Sequence, residues 1–140
     1  MAKVVLIGAT GFVGSAILNE LVERGHEVTA VVRNVEKLPK NALVKPVKED
    51  VGNEDAIAKL LEGKDAVISA YNPGWNNPNI AQETIVNYRH ILAAAKKSGI
   101  GRLLIVGGAG TLFCAPGVRI LETGVLPNEI MNGVVALGYV

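Results

Sequence analysis

Cysteine occurs once in these 140 residues, as Cys114, so no internal disulfide can form and a reducing cytoplasm is the expected compartment. Histidine occurs only at His26 and His90, and neither stands at ligand spacing from a second donor, which argues against a metal site. An excess of one charge is missing as well. The 14 basic and 13 acidic residues scatter along the chain and nearly cancel to a net +1, which excludes the footprint of a nucleic-acid binder. No apolar run is long and glycine-free enough to cross a bilayer as a helix, so the expectation is a soluble protein with no membrane partner. Lys3 followed by apolar residues resembles a secretory leader. However, Asn19, Glu20, Glu23 and Arg24 come next and continue a helical pattern in place of a cleavage site. No repeat or low-complexity segment interrupts the chain. Its length and its 19% of charged residues predict one domain spanning residues 1–140.

Short β-rich runs alternate with helical ones. Lys3 to Ile7 reads as a buried strand, and Gly14 to Glu23 as a helix with Ile17, Leu18, Leu21 and Val22 on one face and Gly25 at its stop. Glu27 to Val32 predicts a second strand and Leu43 to Val47 a third. Pro46 confines that third strand to a sheet edge, because proline has no N–H for a ladder. Asn53 caps a helix with Glu54 and Asp55 in its first turn, where the helix dipole favours negative charge, and Gly63 follows its end. Asp65 to Ala70 is the fourth strand, Ile80 to Ser98 a long helix opened by an Asn79–Gln82 capping box, and Arg102 to Val106 the fifth strand. Strands separated by helices pair in parallel through right-handed crossovers. The predicted fold is therefore α/β: a Rossmann-type doubly wound sheet of order 3-2-1-4-5, with strand three at its edge.

The segment "GATGFVG" joins the first strand to its helix, where a dinucleotide's pyrophosphate would rest on the N–H groups of the helix start. Gly8 suits a sharp turn, Gly11 lets the backbone approach phosphate, and Gly14 lets the helix pack on the sheet. Thr10 adds a hydroxyl donor, and Phe12 and Val13 open the helix. A glycine triplet is a weak signal alone. Here it follows a buried strand and opens a helix inside a βαβ unit, which is the context that gives the motif its meaning.

Strand two ends in "VVRN". Sites for NAD commonly place a carboxylate there to hold the ribose 2′-hydroxyl, whereas an arginine accommodates a 2′-phosphate. No carboxylate lies between Val28 and Asn34, and Arg33 stands 19 residues after Gly14. NADP(H) is therefore expected over NAD(H), with Lys37 either assisting Arg33 or facing water.

Together "GATGFVG", "VVRN", "KEDV", "DAVISAYNPG" and "RLLIVGGAG" resemble the atypical short-chain dehydrogenase/reductase superfamily. Within it, they resemble the NAD(P)H-binding, NmrA-like proteins often described as NADH-flavin reductases. The resemblance spans nearly the whole chain. It implies that Asp50 and Val51 border the adenine, and that Ala70, Tyr71, Gly107 and Gly108 lie along the cofactor toward its nicotinamide. The catalytic residues of the superfamily's classical reductases are a serine after strand five and a Tyr-x-x-x-Lys on the next helix, where the lysine lowers the tyrosine pKa. In this chain Thr111 stands where the serine is looked for. Tyr139 is the only later tyrosine, expected as a packing residue, and its lysine position falls beyond Val140.

Residues 111–140 form a partial substrate-side region. "LPNEIMNGVVALGYV" begins like a helix at Pro127 and ends apolar without a cap. That ending fits either a C-terminally truncated chain or an apolar face covered by a second copy in a homodimer. Hydride transfer from a nicotinamide to a flavin requires mainly that two rings be held face to face. In "YNPGW", Tyr71 and Trp75 are candidate ring platforms, the alternative being that Trp75 staples the loop. Three readings follow: an NADPH-dependent oxidoreductase reducing FMN, FAD or another small conjugated acceptor; a non-catalytic NmrA-like sensor of NADP(H) redox state; and a sugar-nucleotide epimerase or reductase.

Overall fold

A computed structural model describes all 140 residues. Along the chain run β1 (Lys3–Ile7), α1 (Phe12–Glu23), β2 (Glu27–Val32), β3 (Val44–Lys48), α2 (Glu54–Leu61), β4 (Ala66–Ser69), α3 (Ile80–Ser98) and β5 (Leu103–Ile105). They are followed by β6 (Phe113–Ala115), β7 (Val118–Arg119) and α4 (Met131–Gly138). The chain divides into two compact units, the first comprising residues 1–71 and 90–106, the second residues 72–89 and 107–140. No helix is long and apolar enough to cross a membrane.

The first unit holds a five-stranded sheet of order β3-β2-β1-β4-β5. All of its pairings are parallel: Val4 pairs with Val28 on one side and Ala66 on the other, Val28 with Val44, and Val67 with Leu103. Parallel order follows from the crossovers, α-helical except between β2 and β3, where the connection holds only a 3-10 turn over Val35–Lys37, and β1 is central because the chain crosses first to one side of it and later to the other. Pro46 sits in β3, opposite Ala30, in the edge strand where a missing N–H costs no ladder bond.

Side chains alternate across the sheet. Leu6, Val28, Ala30, Val32 and Val44 pack with Leu18, and Ile17, Leu21 and Val22 complete the apolar face of α1 against them. Val5, Ile7, Val31 and Val67 point to the other face and are fully buried, as are Ile57 and Leu61 of α2 and Ile91 and Ala94 of α3. Asn53 caps α2 by accepting from Ala56 N–H at 3.3 Å. Glu54 then reaches α3, with Oε1 2.7 Å from His90 Nδ1 and Oε2 2.9 Å from Lys97 Nζ. His26 is also structural, its Nδ1 accepting from Ala2 N–H at 2.9 Å.

Several boundaries differ from the sequence pattern. α1 begins at Phe12 and not at Gly14, because Gly14 is an interior glycine of the helix and Gly11 is its N-cap. β3 runs one residue later, and β4 and β5 are each one residue shorter at both ends, losing Asp65 and Ala70, and Arg102 and Val106. The turn into α3 is organised by Asn77 in place of the expected Asn79–Gln82 box. Asn77 Oδ1 accepts from Asn79 N–H at 2.9 Å, while its amide donates to Pro73 O at 3.4 Å and to Glu83.

In the second unit β6 and β7 form an antiparallel hairpin around Pro116-Gly117, with Gly117 at φ +73°. A 3-10 turn over Asn128–Ile130 leads into α4. Backbone approach is close here. A Cβ on Gly133 would lie 2.6 Å from Trp75 Cζ3, and one on Gly110 would lie 2.3 Å from Val134 Cγ1.

Candidate functional site

The chain leaves β1 through Gly8, at φ +84°, a conformation that L side chains avoid. A Cβ there would also lie 2.8 Å from Ala70 O, so glycine is required twice over. Gly8 N–H donates to Val31 O at 3.3 Å and Ala70 N–H donates to Ile7 O at 2.9 Å, lacing the turn between the C-terminal ends of β2 and β4. This is the point where strand order reverses, and in open parallel sheets it is where ligands bind.

Six residues on, Gly14 is just as constrained, since a Cβ would fall 1.8 Å from Gly8 O. Gly11 is not. The nearest heavy atom to a Cβ on it is Gly8 O at 3.6 Å, an ordinary contact, and its φ of −74° and ψ of 174° suit any residue. The chain's own packing therefore demands glycine at 8 and 14 but not at 11, which faces solvent.

Gly11 also leaves the start of α1 open. The first helical bond runs from Ser15 N–H to Gly11 O at 2.8 Å, so the N–H groups of Phe12, Val13 and Gly14 precede any intrahelical acceptor. No side chain caps them, and the first turn carries no acidic residue. α2 makes the contrast: Asn53 caps it by accepting from Ala56 N–H, and Glu54 and Asp55 place negative charge in its first turn. Phe12 is 96% exposed, and Thr10 and Val13 are exposed beside it. Uncompensated donors, the positive end of a helix dipole and a bare glycine together fit an anionic pyrophosphate.

Arg33 is the first residue after β2. It is exposed and forms no ion pair within the chain. Next to it Asn34 Oδ1 accepts from Glu36 N–H at 3.1 Å, opening a short 3-10 turn that ends in an exposed Lys37. After β3, Asp50 Oδ1 accepts from Gly52 N–H at 2.7 Å, fixing a tight turn that leaves Val51 buried. After β4, Ala70 and Tyr71 are half-buried, and Tyr71 N–H donates to Ser69 Oγ at 3.3 Å. Gly8, Thr10, Gly11, Phe12, Val13, Arg33, Asp50, Val51, Ala70 and Tyr71 thus all follow the carboxyl ends of β1 to β4.

Gly107 and Gly108, which follow β5, belong to the second unit, as do Thr111 and Tyr139. Thr111 turns its methyl toward α4, where a Cβ on Gly138 would sit 2.6 Å from Thr111 Cγ2. Tyr139 is 76% exposed, which corrects the expectation that it packs: it follows the last turn of α4, where nothing covers its ring. Trp75 rests on Gly133 within its own unit. Sequence reasoning did not single out Gly133, because the pattern of α4 alone does not reveal what lies across from a helical glycine. No group of three or more His, Cys, Asp or Glu is placed to hold a metal ion.

A family model described as NAD(P)H-binding matches residues 8–128, from the first glycine of the turn to the approach to α4. The chain belongs to this NAD(P)H-binding family. It lies within the short-chain dehydrogenase/reductase-like superfamily, whose members carry the same Rossmann-like sheet. This NAD(P)H-binding chain is 35% identical over 131 residues to the uncharacterized protein YwnB of Bacillus subtilis, a match covering 92% of the chain and 59% of YwnB. Among solved structures it resembles a Bacteroides thetaiotaomicron protein provisionally named an epimerase. That similarity has 51% identity and a TM-score of 0.89, over 98% of the chain and 61% of the other protein. It also resembles a Streptococcus pneumoniae protein provisionally named an NADH-flavin reductase, at 31% identity and TM-score 0.74, over 98% of the chain and 62% of that protein. The chain thus spans about three fifths of the length of these relatives.

Proposed function

We propose that this chain binds NADP(H) in preference to NAD(H) and serves an oxidoreductase that reduces a flavin or another small conjugated acceptor. The observation that carries this reading is the open start of α1: unpaired N–H groups behind a glycine that the protein's own packing does not need. Gly8 and Gly14 shape that cradle, Gly11 leaves room for a diphosphate, and Phe12 and Val13 donate their amides to it. Arg33, exposed and without an internal partner, holds the 2′-phosphate. Asp50 and Val51 border the adenine side. Ala70 and Tyr71 line the path toward the nicotinamide, which supplies the transferable hydride when bound. The likeness to the Streptococcus pneumoniae protein supports a flavin as acceptor.

A second reading, a sensor of NADP(H) redox state without turnover, is favoured by the exposure of Tyr139, which leaves Thr111 without an evident proton-transfer partner. The name of the Bacteroides thetaiotaomicron relative supports a third, an epimerase, for which sugar nucleotides are the substrate class expected from the sequence.

Titration calorimetry with both coenzymes, followed by NADPH oxidation in the presence of FMN, tests the assignment. Tighter binding of NADPH than of NADH, together with oxidation above the uncatalysed rate, is expected. Binding without oxidation selects the sensor, turnover of a sugar-nucleotide panel selects the epimerase, and failure of both coenzymes to bind removes all three readings. Arg33→Ala should weaken NADPH roughly ten- to a hundredfold while leaving NADH nearly unchanged, as expected from losing a charge-assisted bond to phosphate of about 1.5–3 kcal/mol. Equal loss for both coenzymes would remove Arg33 from the 2′-phosphate site.

A further inference from the structure

Trp75 is the only tryptophan in the sequence, and its surroundings are unusual for so large an apolar side chain. It stands on the loop between β4 and α3, whose shape is fixed by other residues. Asn72 Oδ1 accepts from Gly74 N–H at 2.7 Å, Asn77 N–H donates to Gly74 O at 3.0 Å, Ile80 N–H donates to Asn77 O at 3.1 Å, and Asn77 anchors Pro73, Asn79 and Glu83. The indole contributes no hydrogen bond to this framework. It packs against α4 at Gly133: a Cβ there would lie 2.6 Å from Trp75 Cζ3 and 3.1 Å from Cε3, and Ile80 Cδ1 shares the same gap at 2.8 Å.

The indole Nε1–H has no hydrogen-bond partner within the chain, and the residue remains 44% exposed. A tryptophan serving only as a staple buries its ring and pairs its N–H. Here a hydrogen-bonded loop sets the ring against a glycine and leaves the residue partly exposed.

We infer that Trp75, seated on Gly133, is a stacking platform for a planar ring system bearing ring carbonyls, of the isoalloxazine or quinone type. The indole surface supplies stacking area and Nε1–H a donor for a carbonyl. Gly133 is a positioning residue, because any side chain there displaces the ring. This assignment rests on the reading above that the acceptor is a conjugated ring, and its test does not depend on turnover.

With one tryptophan in the chain, indole fluorescence reports on Trp75 alone. Riboflavin, which carries the ring without a phosphate, should quench that emission saturably after correction for flavin absorbance, and FMN should do so equally. Trp75→Leu should weaken riboflavin binding about tenfold or more, as measured by quenching of the flavin's own emission, and Trp75→Phe should recover part of it. Gly133→Ala should shift the Trp75 emission maximum and raise the acceptor KM while NADPH affinity by calorimetry stays at the wild-type value. Unchanged Trp75 emission at saturating riboflavin overturns the platform, and so does undiminished riboflavin affinity in Trp75→Leu. Absence of quenching in the wild type overturns the platform even where a variant fails to fold, and its presence supports the platform only together with the loss of riboflavin affinity in Trp75→Leu. Loss of NADPH binding to the wild-type chain would instead count against the cofactor assignment, leaving the platform to be judged by riboflavin alone.

Discussion

At the scale of single residues, the three glycines of the first turn separate by what they face. Gly14 meets a carbonyl oxygen of the chain itself, with a Cβ placed at 1.8 Å, so Gly14→Ala must move backbone. We expect it to destabilise the fold by at least about 3 kcal/mol, read from urea unfolding, or to prevent folding altogether. Gly11→Ala meets nothing closer than 3.6 Å in a conformation open to alanine. Its stability should stay within about 1 kcal/mol of wild type, since a slightly poorer N-cap is offset by lower entropy of the unfolded chain. NADPH affinity should nevertheless fall by about tenfold or more, as when a side chain enters space that a ligand needs. If Gly11→Ala binds NADPH as tightly as wild type, the diphosphate does not pass over that residue. The sequence spacing marked all three positions, but only the coordinates distinguish a glycine required by the protein from one that leaves room for a ligand.

Among the elements, α1 and α2 divide the same physics differently. α2 caps its own N-terminus with Asn53 and places two acidic residues in its first turn, and Glu54 continues into α3 through His90 and Lys97. The hydrogen bonds from His90 and then Lys97 hold the Glu54 carboxyl below its ordinary range, and the carboxylate in turn raises Lys97. A lowered carboxylate pKa contributes stability that is present at neutral pH and lost as pH falls through the folded value, below about 4.3 for an ordinary glutamate. Raised Lys97 contributes in the opposite window: its share is present below an ordinary lysine value of about 10.4 and lost as pH rises through the folded one. The unfolding midpoint of Glu54→Gln should therefore lie below wild type at pH 7 and converge with it in acid. A constant gap across that range would show that the pair contributes no pH-dependent stability.

Legibility in the sequence follows the same physics. β1, β2 and α3 stand within the bounds their apolar patterns predict, because long buried runs and complete helical faces leave little choice of register. The β6–β7 hairpin is not legible in the sequence, since strands of three and two residues are too short for alternation to register, and only Pro116-Gly117 marks the turn. The boundary of α3 at Asn79 is legible, since Asn79 O accepts the first helical bond from Glu83 N–H at 3.0 Å, but the side chain that organises the turn is not. A side chain two residues earlier, Asn77, reaches the same backbone from inside the loop, and spacing alone does not separate the two.

For the molecule as a whole, the order β3-β2-β1-β4-β5 is what gives the glycine turn its meaning. It sets Gly8 between the ends of β2 and β4, with the open helix start directly after it. Pro46 had already assigned β3 to an edge, and the crossovers determined the rest. Side-chain identity beyond the sheet was less legible: Gly133 beneath Trp75 depends on which residues α4 faces, and no local pattern encodes that. The measurement that bears most directly on the proposed function is backbone amide chemical shift during titration with NADPH. The largest displacements should fall on the N–H resonances of Gly11, Phe12 and Val13, with Arg33 responding to NADPH and not to NADH. Displacements confined to other segments, with those three amides unmoved at saturation, would mean that no diphosphate rests on the start of α1.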